Sequence, residues 1–409
     1  MTSRERILTA IAHREPDRVP IDCGAMRSTG IQAIAYNRLK AHLGMRGGCT
    51  RVFDVIQQLA EPEAAFLDRF RIDAINAGRD FSPGAWKDWT LPDGSPCQVP
   101  AYVDLQREGD DWIARNAAGT VVARMAAGTT YFSQACYPLA RDDWFDRLDR
   151  LADDMSSVCW GALAEPIYAD GLSDANLERI GGHVRHLRRT SDRAIMIAFG
   201  ANLFEWASYL RRMDNYLADL AAEPARAEAL LDKLVEIHLD GLRRLLPAIG
   251  DNVDLIQLGD DLGMEAGPFF SPDLFRRMFK PRYRTIVQYI RKTSPTIKVF
   301  LHSCGSIRKL LPDLIEAGFD VINPVQISAV GMAPAELKRE FGNAITFWGG
   351  GCDTQQVLSR GTPQQVREHV RRNIDIFAPG GGFVFNQVHN ILAEVPPANV
   401  VAMYEEAMA

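Results

Sequence analysis

The chain has 409 residues, of which 47% are hydrophobic and 24% charged, and its formal net charge is −6. A chain of this length and composition can bury a large core, as one large α/β domain or as two domains. The negative net charge offers no basic face for nucleic acid or anionic lipid, and this favours chemistry on small molecules.

The N-terminal residues and the cysteines indicate a cytoplasmic protein. An amphipathic helix is predicted over residues 4–12 in place of an apolar signal core, and no uncharged run approaches the length of a membrane span. The seven cysteines have no framework spacing, so free thiols in a reducing compartment are expected. We therefore expect a protein that works without nucleic acid or membrane.

Residues 1–150 predict mixed structure. A proline-bounded turn at residues 14–20 follows the first helix, and residues 87–125 have the Gly, Asp and Pro punctuation that is typical of hairpins. Strands predicted at residues 102–105, 112–114 and 120–123 would form a small antiparallel sheet. We expect this segment to be an elaboration packed on the main domain.

Residues 151–409 predict a repeated strand, loop and helix. The predicted strands are residues 194–198, 255–258, 299–301, 321–322, 346–348 and 383–385, and the helices between them include residues 224–246, 272–292, 307–317 and 363–376. Most of these helices open with a Pro, Ser or Thr start signal. Such alternation implies a parallel sheet with helical crossovers.

Polar or ionisable side chains follow each of the six predicted strands. In strand order they are Asn202 and Glu205; Asp260 and Asp261; His302 and Cys304; Asn323 and Gln326; Cys352 and Asp353; and Asn386, His389 and Asn390. In a (β/α)₈ barrel these strand ends converge on one mouth, where the active site is built. A doubly wound sheet would normally show an early glycine-rich nucleotide loop. We therefore predict a (β/α)₈ TIM barrel, whose N-terminal extension contains a small antiparallel sheet and which forms one integrated domain.

A metal site is predicted from three of these residues. His302 and Cys304 leave their strand on the same side because side chains alternate along an extended backbone, and Cys352 follows a later strand. Imidazole and thiolate are ligands that zinc prefers, and three protein ligands with one open position are the catalytic pattern. The alternative remains that these are packing residues, since buried cysteine is common in cores.

The remaining strand-end residues are candidates for catalysis or for substrate binding. Asp260 and Asp261 could supply a fourth zinc ligand, accept a proton or bind substrate, and the alternative is a helix cap. His389 could act beside them. The candidates for catalysis are thus Asp260, Asp261 and His389, and those for substrate binding are Asn202, Glu205, Gln326, Asn386 and Asn390.

Several of these motifs resemble the uroporphyrinogen decarboxylase superfamily. They are residues 260–263 (Asp-Asp-Leu-Gly), 302–305 (His-Ser-Cys-Gly), 350–355 (Gly-Gly-Cys-Asp-Thr-Gln) and 385–390 (Phe-Asn-Gln-Val-His-Asn). The pattern is closest to the corrinoid-dependent methyltransferase branch. That resemblance implies zinc on His302, Cys304 and Cys352, and transfer of a methyl group between a small molecule and a corrinoid. Of the arginine-rich signature of true decarboxylases, only Met26-Arg27 is present.

The corrinoid (cobalamin) is expected on a separate partner protein, because no histidine has the Asp-x-His-x-x-Gly setting of a cobalamin-carrying domain. That partner would dock at the mouth of the barrel. Removal of the methyl group from a methyl ether is the favoured reaction. A homodimer stays open, and so do two alternatives: a metal-free decarboxylase and a non-catalytic scaffold that docks a corrinoid protein.

Overall fold

The structure is a computed structural model that describes residues 1–45, 47–78, 86–163 and 170–409. Its strands are β1 (Val52–Asp54), β2 (Leu59–Ala60), β3 (Ala74–Asn76), β4 (Trp86–Thr90), β5 (Pro96–Pro100), β6 (Asp104–Glu108), β7 (Asp111–Arg115), β8 (Val121–Met125), β9 (Ser133–Gln134), β10 (Ala194–Gly200), β11 (Leu255–Gly259), β12 (Lys298–His302), β13 (Val321–Asn323), β14 (Thr346–Trp348) and β15 (Phe383–Val384).

The α-helices alternate with the later strands, as expected for a barrel. They are α1 (Ser3–Ile11), α2 (Ala33–His42), α3 (Ala64–Arg69), α4 (Leu151–Ser156), α5 (Cys159–Leu163), α6 (Asp174–Thr190), α7 (Phe204–Arg211), α8 (Met213–Ala222), α9 (Pro224–Ile249), α10 (Pro272–Met278), α11 (Lys280–Thr293), α12 (Leu311–Ala317), α13 (Pro334–Phe341), α14 (Pro363–Phe377) and α15 (Pro397–Ala407). Within the described residues, none of these helices is long and apolar enough to cross a membrane.

Seven parallel strands form the barrel wall, in the order β15-β14-β13-β12-β11-β10-β3. Residues 20–22 occupy the eighth strand position and so close the barrel. The Asp22 amide donates to the Phe385 carbonyl at 2.9 Å, and the Asp73 amide donates to the Ile21 carbonyl at 2.7 Å. The predicted TIM-barrel fold is therefore confirmed, and its first two strand positions come from within residues 1–150.

The small antiparallel sheet predicted in the N-terminal segment is also confirmed. Strands β6, β7, β8 and β9 pair in that order, and β4 pairs with β5 as a separate hairpin. Both lie in the long connection between β3 and β10.

The interior of the barrel changes from apolar to polar along the strands. At the bottom, Ile7 and Ile11 of α1 belong to one apolar cluster with strand residues such as Phe300 and Val321. Two residues further along, the same strand faces carry His302 and Asn323, because side chains alternate with a period of two. The top layer of the barrel therefore presents polar groups to the mouth.

The single helix predicted at residues 272–292 is two helices in the structure. Helix α10 ends at Met278, and α11 begins at Lys280 with a proline in its first turn. Pro281 has no amide hydrogen to bond back to the preceding turn, so α10 cannot continue through it. The break follows from this local chemistry.

Candidate metal centre at the barrel mouth

A cavity of about 380 Å³ opens at the carboxyl ends of the strands. Its floor and one wall come from the residues that follow β10, β11 and β12, and the opposite wall comes from the N-terminal segment. The lining residues used below are Arg27, Gln57, Tyr131, Trp160, Asn202, Glu205, Tyr209, Asp261, His302 and His389.

Three potential metal ligands meet beside this cavity, and two of them, His302 and His389, line it. His302, Cys304 and His389 each offer one ligand atom, and these three atoms all lie within 4.8 Å of one another. The His302 Nε2 and the Cys304 Sγ are 3.5 Å apart, and the two imidazole rings have their centroids 5.4 Å apart. Two imidazoles and one thiolate fit zinc, which takes nitrogen and sulfur ligands in tetrahedral sites. Three ligands leave one position for a substrate.

His302 is the last residue of β12, and its Nδ1 lies 2.6 Å from the Asn323 Oδ1. This contact leaves Nε2 on the side of the ring that faces Cys304 and the cavity.

Asp261 lies beside the three ligands. Its Oδ1 accepts the backbone amide of Cys304 at 2.8 Å and lies 3.6 Å from the His302 Nε2. Burial, followed by the charge of Asp261, raises the pKa of the Cys304 thiol well above its usual range. A divalent cation would reverse this effect, because it stabilises the thiolate and offsets the carboxylate charge.

His389 reaches the cavity from a strained loop. Its φ is +64°, a left-handed conformation that few non-glycine residues adopt, and the Gln387 side-chain amide donates to its carbonyl at 2.9 Å. Burial and the neighbouring His302 lower the pKa of His389 to about 4. The imidazole is therefore neutral at pH 7, as a metal ligand requires. Sequence reasoning selected His389 for catalysis, and the structure places it among the potential ligands.

The predicted ligand Cys352 is not part of this group, and we replace it with His389. The Cys352 side chain is fully buried in the main apolar cluster, and its Sγ contacts the Asp353 carbonyl at 3.8 Å. Gly349 and Gly350 have positive φ values of 122° and 72°, so the backbone turns after β14 and the alternation of side chains is lost. The strand-end rule therefore fails at this position.

Asp260, which was predicted as a catalytic residue, is not among the residues that line the cavity. It is fully buried, and its carboxylate accepts the backbone amides of Leu203, Phe204 and Glu205 at 2.7–2.8 Å and the hydroxyl of Tyr283. Burial raises the pKa of Asp260 to about 6 even though these donors oppose the shift. Asp260 caps the start of α7 and so fixes the loop that carries Asn202.

Glu205 and Asn202 form a polar corner of the cavity, where sequence reasoning expected substrate contacts. The Asn202 side-chain amide donates to the Glu205 Oε2 at 2.6 Å, and the Tyr209 hydroxyl donates to Oε1 at 2.5 Å. Burial, followed by the charge of Asp261, raises the pKa of Glu205 well above its usual range.

The other three predicted substrate-binding residues hold loops together. Gln326 accepts the Gly305 amide at 2.8 Å and donates to Glu265 at 2.6 Å. Asn386 donates to the Asp22 carbonyl at 3.1 Å, where the barrel closes. Asn390 accepts the Gly30 amide at 2.9 Å and donates at 3.1 Å to Gln57, which does line the cavity. These three residues lie behind or beside the cavity wall.

Sequence reasoning missed the aromatic wall. Trp160 and Tyr209 stack with centroids 5.8 Å apart, and Tyr131 lies on the same cavity. The Arg27 guanidinium lies over the Trp160 ring at 5.4 Å and bonds Asp54. Trp160 and Tyr209 lie on helices and Tyr131 in the N-terminal segment, so no strand-end pattern marks them.

The comparisons with known proteins agree with this fold. The uroporphyrinogen decarboxylase of Chlorobium limicola is 27% identical over 188 residues, which are 45% of this chain and 49% of that one. The enzyme of the same name from Methylococcus capsulatus is 26% identical over 258 residues, which are 59% of this chain and 68% of that one. The chain thus spans about half to two thirds of the length of these relatives.

A solved methyltransferase from Methanosarcina mazei superimposes with a TM-score of 0.58 and 16% identity, covering 100% of this chain and 98% of that one. At this identity the likeness shows the shared fold. A sequence model described as uroporphyrinogen decarboxylase (URO-D) matches residues 166–409, which is more than half of the chain. The chain therefore belongs to the uroporphyrinogen decarboxylase (URO-D) family.

Proposed function

We propose that this chain is a zinc-dependent methyltransferase that moves a methyl group between a small substrate, most simply a methyl ether, and a corrinoid carried by a separate protein. The main support is the group of His302, Cys304 and His389, whose ligand atoms lie within 4.8 Å of one another, with both histidines lining the cavity. Bound zinc would act as a Lewis acid on an ether oxygen or would hold a substrate thiolate.

The residues of the chain supply orientation and exclusion of water. Asp261 holds the backbone of Cys304 in place, and Glu205 with Asn202 offers polar groups a short distance along the wall. Trp160, Tyr209 and Tyr131 give the cavity an apolar side, which suits the hydrocarbon part of a substrate such as an aryl group. The methyl group would then face the mouth.

The proposal that a partner protein brings the corrinoid follows from the sequence, in which no histidine has the Asp-x-His-x-x-Gly setting of a cobalamin-carrying domain. It is also supported by the position of the cavity at the barrel mouth, since this is the face on which barrel enzymes work. The corrinoid carries the demanding chemistry in such a pair, and the barrel binds and orients the small substrate.

Zinc content tests the metal site. Protein purified without chelator should hold about one zinc per chain, and His302→Ala should lose it. Cys352→Ser is the matched control, since it removes a buried thiol that lies outside the ligand group, and it should keep the zinc. Zinc-free wild-type protein would refute the proposal, and zinc loss in Cys352→Ser would restore Cys352 as the ligand.

Formation of methylcobalamin tests the reaction. The enzyme is mixed with cob(I)alamin and a panel of aryl methyl ethers, methyl thioethers and small methylated compounds, and the absorption spectrum of methylcobalamin is recorded. We expect the aryl methyl ethers to give that spectrum and Cys304→Ser to abolish it. A folded Cys304→Ser or His302→Ala variant with full transfer would remove zinc from the mechanism.

A second candidate, a decarboxylase, is favoured by the names of the curated relatives. Arg27 is the only lysine or arginine among the described residues that line the cavity, and it already bonds Asp54. One paired guanidinium gives little charge for several substrate carboxylates. Release of carbon dioxide from uroporphyrinogen by zinc-free protein would favour this candidate over the methyltransferase.

A further inference from the structure

The amide of Asn323 has a defined orientation between two groups of the barrel interior. Its Nδ2 donates to the backbone carbonyl of Trp348 at 2.8 Å, and its Oδ1 lies 2.6 Å from the His302 Nδ1. A carbonyl can only accept, so the amide nitrogen must face Trp348 and the amide oxygen must face His302. The alternative orientation would place two acceptors together, and Asn323 is fully buried, so no water would relieve the conflict.

This orientation determines the tautomer of His302. Because the Asn323 Oδ1 accepts, the His302 Nδ1 must carry the hydrogen, and the neutral ring keeps its lone pair on Nε2. That nitrogen faces the Cys304 Sγ at 3.5 Å and the Asp261 Oδ1 at 3.6 Å. The lone pair therefore points to the place where the other potential ligands meet.

The support for Asn323 is rigid, because it comes from strands. Asn323 is the last residue of β13, and Trp348 is the last residue of the neighbouring β14. The Trp348 indole donates to the Asp22 Oδ2 at 2.8 Å, which connects this network to the segment that closes the barrel. Every member of the network is buried.

We propose that Asn323 is a positioning residue of the metal centre, which holds His302 in the Nδ1-protonated tautomer so that Nε2 is ready to bind the ion. This inference rests on the proposed zinc site and adds a residue that never touches the metal. Loss of a residue that hydrogen-bonds a ligating histidine typically weakens metal binding by about 10- to 100-fold. We expect the loss of the Asn323 amide to weaken zinc binding within this range.

Three variants test the role. Asn323→Leu removes the acceptor at nearly constant volume, whereas Asn323→Asp keeps an acceptor for the imidazole hydrogen. Asn373→Leu is the matched control. Asn373 is also buried, donates to the Gly350 carbonyl at 3.0 Å and lies 3.0 Å from the Nε2 of His369, a histidine outside the metal centre.

The first measurement is nitrogen NMR of metal-free protein labelled with ¹⁵N-histidine, in which His302→Gln identifies the His302 signals among eight histidines. The second is a zinc titration in competition with a chromophoric chelator. Wild type and Asn323→Asp should show one tautomer with hydrogen on Nδ1. Asn323→Leu should show a tautomer mixture and bind zinc about 10- to 100-fold more weakly. Asn373→Leu should lose stability and keep both the tautomer and the zinc affinity.

The outcomes separate the inference from the function on which it rests. An unchanged tautomer or unchanged zinc affinity in folded Asn323→Leu would overturn the inference and leave the zinc site in place. Equal losses of affinity in Asn323→Leu and Asn373→Leu would also overturn it, since they would reveal a general effect of lost stability. Wild type that binds no zinc would refute the proposed function, and the inference with it, whatever the NMR spectrum shows.

Discussion

Two buried histidines of this barrel have different surroundings: His302 faces the other potential metal ligands, and His238 contacts the backbone. His238 of α9 is fully buried, and its Nε2 donates to the Asn202 carbonyl at 3.0 Å. Burial lowers the pKa of His238 to about 4. His238 thus supports the loop that carries Asn202 and Glu205, from the side away from the cavity.

We predict that His238 makes stability depend on pH. The unfolded chain has a histidine pKa of about 6.5, so between about pH 6.5 and pH 4 the unfolded state binds more protons than the folded state. The contribution is complete above about pH 6.5 and is lost as the pH falls, by about 3 kcal/mol in total. In urea unfolding experiments, the advantage of wild type over His238→Gln should shrink by that amount between pH 7 and pH 4.

The same substitution at exposed His42 controls for the loss of a histidine as such. A constant difference between wild type and His238→Gln across this pH range would contradict the prediction.

At the scale of elements, the start of α7 depends on one carboxylate from a neighbouring strand. Asp260 follows β11 and satisfies three backbone amides at the N-terminal end of α7, where helix amides have no partner within the helix. A cap that comes from another strand fixes the helix relative to the barrel. Asp260 therefore supports the start of α7, whereas the adjacent Asp261 lines the cavity.

We predict that Asp260→Ala destabilises the protein by about 3–5 kcal/mol, because it leaves several buried amides without a partner. It should also weaken substrate binding, since Asn202 and Glu205 lose their support, while the zinc content stays at the wild-type level. Urea unfolding and zinc analysis measure the two effects.

Asp273→Ala is the control, because that acid lies in the exposed first turn of α10. Loss of zinc together with stability in Asp260→Ala would mean that the loop after β11 is needed for the ligand group.

Sequence reasoning found the elements that obey simple periodicity. Six strands were predicted because each is an apolar run followed by polar residues, and the same pattern led to His302 and Cys304, which lie together in the structure. The segment at residues 20–22 and β3 were missed, because they lie within residues 1–150, where no repeated strand, loop and helix marks them as barrel strands. Cys352 lies outside the group of His302, Cys304 and His389, because two glycines with positive φ precede it and the sequence does not show which side the chain takes after such a turn.

At the scale of the whole molecule, the barrel is completed by the N-terminal segment. The strand positions at residues 20–22 and β3 and the bottom helix α1 all precede the potential metal ligands in the chain. The segments 1–150 and 151–409 should therefore fold as one domain.

We predict that residues 151–409 expressed alone do not unfold cooperatively, since the sheet would have two open edges and an uncovered apolar bottom. Near-ultraviolet circular dichroism and urea unfolding measure this, and co-expression with residues 1–150 should restore the native signal. A cooperative transition in the isolated fragment would show that the barrel residues of the N-terminal segment are dispensable.

The close approach of Gly263 and Gly305 constrains how this mouth can be redesigned. A Cβ added to Gly305 would lie 2.3 Å from the Gly263 carbonyl group, so the loops after β11 and β12 touch backbone to backbone. Libraries that vary these loops would disturb Cys304, whereas Tyr131 and Trp160 lie on segments distant in sequence from any potential ligand. New substrates are therefore best sought by randomising that aromatic wall, which leaves the potential metal ligands unchanged.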